Sequence, residues 1–184
     1  MTPVLTLSKD ILSMALKATI FKVDLSISDM DRHYYADHSL TIARHPSESD
    51  KRMMLRLIAF VFNAHEQLEF TKGLSDVDTP DLWLKNYSDE IEQWVELGQP
   101  SEQRIKKGCN QAQQMCIYSA DSNAFDEWWK KEQNALNMRK NLAIFTINEN
   151  TIEQLADVVT RQMQIQVTIQ DGQSWFSVND ETIE

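Results

Sequence analysis

Apolar and polar positions along the chain change period several times, and each change marks an element. The segment MQIQVTIQ (residues 163–170) alternates apolar with polar residues almost without error, as a strand with one buried face does. Asp171-Gly172 then predicts a tight hairpin turn into SWFSV. At the other end, LKATIFKVDL (Leu16 to Leu25) is rich in β-formers and reads as a strand. SISDMD turns the chain, and Tyr35 to Ala43 predicts a second strand pairing with the first. After His45-Pro46, Ser47 predicts a helix N-cap with Asp50 as its capping-box-like partner. The following KRMMLRLIAFVFNA is apolar nearly all round, so this helix must be buried between a sheet and a further layer.

The middle of the chain is more finely divided. Leu68 to Thr71 and Asp81 to Leu84 are short strand candidates. Ile91 to Leu97 is clearer: Ile91, Gln93, Val95 and Leu97 face one way, and Glu92, Trp94 and Glu96 the other. Gly98-Gln99-Pro100 ends that strand, and Ser101 predicts the cap of the next helix. Ile105, Gly108, Cys109 and Ala112 recur at helical spacing as its core face, continuing to Met115 or Cys116. Arg104, Lys107 and Gln111 border that face, whereas Lys106 points to solvent. A strand at Met115 to Ser119 precedes a helix capped near Ser122, with Phe125, Trp128, Trp129 and Leu136 along it. Leu142 to Ile147 predicts another strand, and Asn150 with Glu153 caps a short helix through Val159. The order β-β-α-β-β-β-α-β-α-β-α-β-β implies a mixed α/β or α+β domain.

Composition narrows the class without naming a chemistry. At 184 residues the chain suits one domain with a sizeable core. Hydrophobic residues make up 42% and charged residues 25%, and four glycines with four prolines leave no room for long linkers. The net charge of −10 argues against wrapping in nucleic acid by bulk electrostatics. Cys109 and Cys116 lack zinc-site spacing and read as buried thiols. The four histidines form no HxxxH or HExxH pattern. No apolar run reaches the roughly 20 residues of a membrane span, and MTPVLTLSKD lacks the features of a signal peptide. A cytoplasmic location is the expectation, with no membrane partner.

Candidate chemistry concentrates between Pro80 and Lys107. An acid follows a proline, a second acid ends an apolar strand, and the next helix carries Arg104 and Lys107. Two carboxylates on neighbouring strands beside a cation can hold a divalent metal next to a phosphate. An ordinary strand followed by a capped helix explains the same order of residues.

Five blocks add a resemblance: MALKATIFK, LTIARHPSESDKRMMLRLIAF, LEFTKGL, WVELGQPSEQRIKK, and TIQDG with the following Trp. From Met14 nearly to the C-terminus they resemble the YaeQ family of bacterial proteins, which is grouped with the PD-(D/E)xK nuclease superfamily as a divergent variant. The resemblance implies a single domain over residues 14–184, with 1–13 an extension outside it. It implies a central mixed β-sheet flanked by helices, with an αβββαβ restriction-endonuclease-like core plus N- and C-terminal β-hairpins. It also implies Mg²⁺ ligands at Asp81, in the Pro80-Asp81 pair, and at Glu96, with Glu48 on the first helix assisting. The lysine of (D/E)xK is replaced by Gly98, so a cation would come from Lys107 or Arg104. Each residue also has a plain structural reading. Asp81 can open a turn, Glu48 can answer the helix dipole, and the cations can pair with the acids. Trp128 and Trp129 can stack on bases or pack in the core. Two functions follow: a Mg²⁺-dependent phosphodiesterase acting on nucleic acid, or a non-catalytic module that keeps the cleft to bind a nucleic acid or protein partner.

Overall fold

The computed structural model describes residues 18–76, 78–179 and 181–183, and within them the strands divide into two five-stranded mixed sheets rather than one. Strands β1 (Thr19–Asp29) and β2 (Tyr34–Arg44) form the N-terminal hairpin. Strands β8 (Gln162–Gln170), β9 (Gln173–Val178) and β10 (Glu181–Ile183) form a C-terminal meander. The two units were expected to be separate hairpins. Instead β1 pairs in parallel with β8, with Leu25 opposite Ile165, to give the order β10-β9-β8-β1-β2. The second sheet contains β3 (Leu68–Phe70), β4 (Leu82–Lys85), β5 (Ile91–Leu97), β6 (Ala112–Asp121) and β7 (Leu142–Asn148), in sequence order. Its first three strands are antiparallel neighbours, and β5, β6 and β7 run parallel.

Four helices among the described residues complete the layers: α1 (Asp50–Phe62), α2 (Glu102–Gln111), α3 (Asn123–Leu136) and α4 (Glu149–Asp157). Helix α1 lies with α4 between the sheets. Nine consecutive residues from Met53 to Val61 are buried in α1, which explains its apolar circumference. The shared core joins Val23, Leu25, Val167 and Ile169 of the first sheet to Leu82, Val95 and Leu97 of the second through this helix. A smaller core under α2 and α3 gathers Trp94, Ile105, Met115, Ile117 and Leu136. The layer order is therefore sheet, helices, sheet, helices.

Several boundaries move. The first strand starts at Thr19 and continues through Ser26 to Asp29, so SISDMD turns only at its end; Leu16 and residues 1–13 lie outside the described residues. Ser49, not Ser47, caps α1 by accepting from the Arg52 backbone N–H at 3.2 Å, while the Ser47 hydroxyl lies 2.6 Å from His45 Nδ1. Glu48 consequently precedes the cap rather than sitting in the first helical turn. Asn148, not Asn150, caps α4. Ser101 and Ser122 cap α2 and α3 as expected. No helix among the described residues is long and apolar enough to cross a membrane.

Candidate functional site: an acid–arginine pocket

The register of β4 and β5 pairs Leu82 with Val95, which brings Asp81, the residue just before β4, alongside the Val95–Leu97 end of β5. The Asp81 backbone N–H donates to the Val95 carbonyl at 3.0 Å, and Asp81 Oδ2 accepts from the Leu97 N–H at 3.1 Å. That side chain thus closes the ladder where β4 begins. Period two puts Trp94 and Glu96 on the α2 side of β5, where Trp94 Nε1 donates to Glu96 Oε1 at 2.7 Å. Asp81 and Glu96 are each only 2% exposed, yet both border one open pocket of about 240 Å³.

Three arginines face these acids. Arg104 of α2 donates from Nε to Glu96 Oε2 at 2.7 Å and from Nη2 to the Thr79 carbonyl at 2.6 Å. Arg52 of α1 bridges Glu48 Oε1 at 3.0 Å and Asp81 Oδ1 at 2.7 Å. Behind it the buried Arg56 donates to Glu48 Oε2 at 3.0 Å and to the Ala43 carbonyl at 3.1 Å. Burial pushes the Glu96 carboxyl above its ordinary range and the nearby Asp81 charge adds to this, while the Arg104 and Trp94 hydrogen bonds pull it down. Burial likewise draws the Arg56 guanidinium below its ordinary range, against the Glu48 and Asp81 charges.

Of the five expected site residues, Asp81, Glu96 and Arg104 line the pocket, and Glu48 stands behind Arg52. Lys107 does not line it. Its amine reaches the exposed Asp78 at 2.6 Å, beside an adjoining cavity of about 370 Å³ that shares Arg104. Gly98 has φ +76°, a left-handed conformation that glycine adopts without strain and lysine does not. Arg52 and Arg56 are the site residues that strand-and-cap reasoning passes over. Their signal is present in the four-residue spacing Glu48-Arg52-Arg56 within an otherwise apolar run.

The pocket wall holds Asp76, Asp81 and Glu96 against Arg52 and Arg104, an excess of one negative charge. Among the described residues no three His, Cys, Asp or Glu side chains converge to cage a metal. Trp128 and Trp129 are both half-buried against the smaller core, and Trp128 Nε1 donates to the Pro100 carbonyl at 3.1 Å.

Comparison with known proteins agrees with this architecture. Residues 14–184 match the family model described as "YaeQ protein". The uncharacterised protein YaeQ of Salmonella typhi is 44% identical over 164 residues, covering 89% of this chain and 91% of that protein. Its counterpart from Escherichia coli (strain K12) is 42% identical over 171 residues, covering 93% and 94%. The crystal structure of the YaeQ protein from Xanthomonas axonopodis pv. citri superimposes with a TM-score of 0.87 at 42% identity, covering 90% of this chain and 94% of that one. That of the YaeQ protein from Pseudomonas syringae gives 0.85 at 34% identity, covering 90% and 91%. The chain belongs to the YaeQ family.

Proposed function

We propose that the Asp81–Glu96 pocket is a nuclease-like, Mg²⁺-dependent phosphodiesterase site acting on nucleic acid. The observation that carries this reading is two buried acids, Glu96 of β5 and Asp81 at the entry to the adjacent β4, at the wall of one open pocket with Arg104 beside them. The run α1-β3-β4-β5-α2-β6 also supports it, because it follows the αβββαβ order implied by the resemblance to that nuclease superfamily. The donor set suits the metal: Mg²⁺ keeps several waters and is commonly held through one or two carboxylates, which Asp81 and Glu96 supply. The pocket's excess negative charge favours a cation in the same way. A bound Mg²⁺ would polarise a phosphoryl oxygen and lower the pKa of a water.

The protein's own groups have defined tasks in this reading. Asp81 and Glu96 would hold the cation. Trp94 and the Leu97 N–H fix the orientation of those carboxylates. Arg104 takes the charge role of the missing lysine and meets the phosphate. Arg52 and Glu48 orient Asp81 from the helix side.

One observation favours the second reading, a non-catalytic binding module: each acid already has an arginine partner. Calorimetric titration with Mg²⁺ and Mn²⁺, run beside cleavage of end-labelled DNA and RNA, separates the two. The phosphodiesterase reading expects metal-dependent cleavage and a metal-binding heat, both lost in Glu96→Gln and Asp81→Asn. Absence of both in the wild type, with nucleic-acid binding that depends on Arg104, would leave the binding module.

A further inference from the structure

The outer face of the first sheet carries a second concavity, apart from the acid–arginine pocket. Alternation along β1 and β8 sends Val23, Leu25, Ile165 and Val167 inward, leaving their neighbours outside. Across the strands, Asp24 stands between Ser39 of β2 and Gln164 of β8, and Ser26 between Asp37 and Gln166. Short side chains on β1 floor a trough, and the longer amides of β8 form one wall. Its larger part has a volume of about 690 Å³, against about 240 Å³ for the acid–arginine pocket. A second part of about 270 Å³ continues it through the shared residues Asp24, Ser39 and Gln164. From Lys22 to Ser26 the trough follows β1 for about 13 Å, at roughly 3.3 Å per residue. One step beyond its Ser26 end, outside the cavity lining, Tyr35, Ser28, Thr168 and Trp175 align across four strands, with an aromatic residue at each end of that row.

We propose that this trough binds a neutral, extended polyhydroxyl ligand, that is, an oligosaccharide chain. The outward positions of β8 are Gln162, Gln164, Gln166, Thr168 and Gln170, all uncharged and all able to donate and accept hydrogen bonds. Hydroxyl groups of a sugar chain match that chemistry. Its C–H faces match the ring of Tyr35, 62% exposed, and that of the half-buried Trp175. Charge selects against other occupants. Lys22, Asp24 and Asp37 leave the trough with one net negative charge on a chain of net charge −10, which repels a polyanion. An extended peptide finds no strand edge to join, because β1 and β8 are paired on both sides. A sheet face that is merely solvated needs neither the concavity nor the run of uncharged amides.

The test presents the full chain to an array of neutral glycans, followed by calorimetry with cellohexaose, maltohexaose and chitohexaose. The expected result is saturable binding of at least one, with Kd on the order of 0.1–1 mM. Gln164→Ala should weaken it by about tenfold, the loss of one well-made hydrogen-bonding group. Ser26→Arg, which fills the floor, should abolish it. Trp175→Phe keeps an aromatic platform and should retain it. Urea midpoints measured in parallel identify any variant that fails to fold, and Gln164→Ala on a solvent-facing position is the variant least exposed to that failure. Retention of no neutral glycan would overturn the proposal. So would binding that folded Gln164→Ala and Ser26→Arg leave unchanged.

Discussion

Replacing Arg56 by methionine tests the electrostatics that hold the first helix against the pocket. Arg56 and Glu48 are almost fully buried, with side chains 3% and 2% exposed and Nη2 to Oε2 at 3.0 Å. Removing one partner of a buried pair leaves an uncompensated charge and costs about 3–5 kcal/mol. Here Arg52 still reaches Glu48 Oε1, so the lower end applies, ~3 kcal/mol. For a chain of this size that lowers the melting midpoint by roughly 6–12 °C. The paired replacement Glu48→Met with Arg56→Met removes both charges and keeps the volume apolar. It should cost less than the sum of the two single changes, with a coupling of about 2–3 kcal/mol. Urea unfolding of the wild type, both single variants and the double variant completes the cycle. A cost below about 1 kcal/mol for Arg56→Met, or strict additivity, would refute the claim that this pair is electrostatically interdependent.

Gly98→Lys should destabilise by about 1–2 kcal/mol because of the left-handed backbone there, and Gly98→Asn by less; equal urea midpoints for all three would contradict this. Burial pushes the Asp29 carboxyl up, but the hydrogen bonds and charge of Arg32 outweigh it and hold the group below its ordinary value of 3.8. A depressed carboxyl contributes stability above its unfolded pKa and loses it as pH falls through the folded value, so the stability advantage of wild type over Arg32→Gln should shrink in acid. Burial and the neighbouring Cys116 push the Tyr118 hydroxyl well above its ordinary range, against the Asn63 hydrogen bond. The contribution of a raised phenol is present below the unfolded pKa and declines as pH rises beyond about 10; spectrophotometric titration should find one phenolate that forms only on unfolding, and Tyr118→Phe should remove it. A Cβ at Gly108 would meet Met115 Sδ at 2.7 Å and Trp94 Cδ1 at 3.0 Å. Gly108→Ala should therefore cost about 1–3 kcal/mol in urea unfolding and shift the Trp94 emission.

Local patterns were legible where one physical demand dominates. Alternation along β8 identifies its buried face because one side meets α1 and the other meets water. The all-round apolar helix implies two covering layers, and two sheets supply them. The division into two sheets was not legible, since alternation tells which face is buried and not which strand lies alongside. The β1–β8 pairing joins residues about 140 positions apart, with Lys22 opposite Gln162. The cap of α1 was misplaced because Ser47 and Ser49 both qualify by residue type, and only the packing of the helix chooses between them. At the site, Asp81 and Glu96 were legible from strand position. For Arg52 only half was legible: the four-residue spacing marks its bond to Glu48, but nothing local marks Asp81, 29 residues on. Lys107 was placed correctly beside Arg104 on the helix surface, but one turn carries it past the pocket to Asp78.

The placement of α1 between the sheets also governs how the protein comes apart. Neither sheet has a complete core of its own, since the residues from Met53 to Val61 are packed from both sides. Loss of that helix exposes the inner faces of both sheets at once, so neither sheet forms a separate folding unit. Heat or urea should take the described residues through one cooperative transition despite the two-sheet architecture. Because Arg52 and Arg56 belong to the same helix, the pocket is dismantled in that same event and has no independent melting of its own.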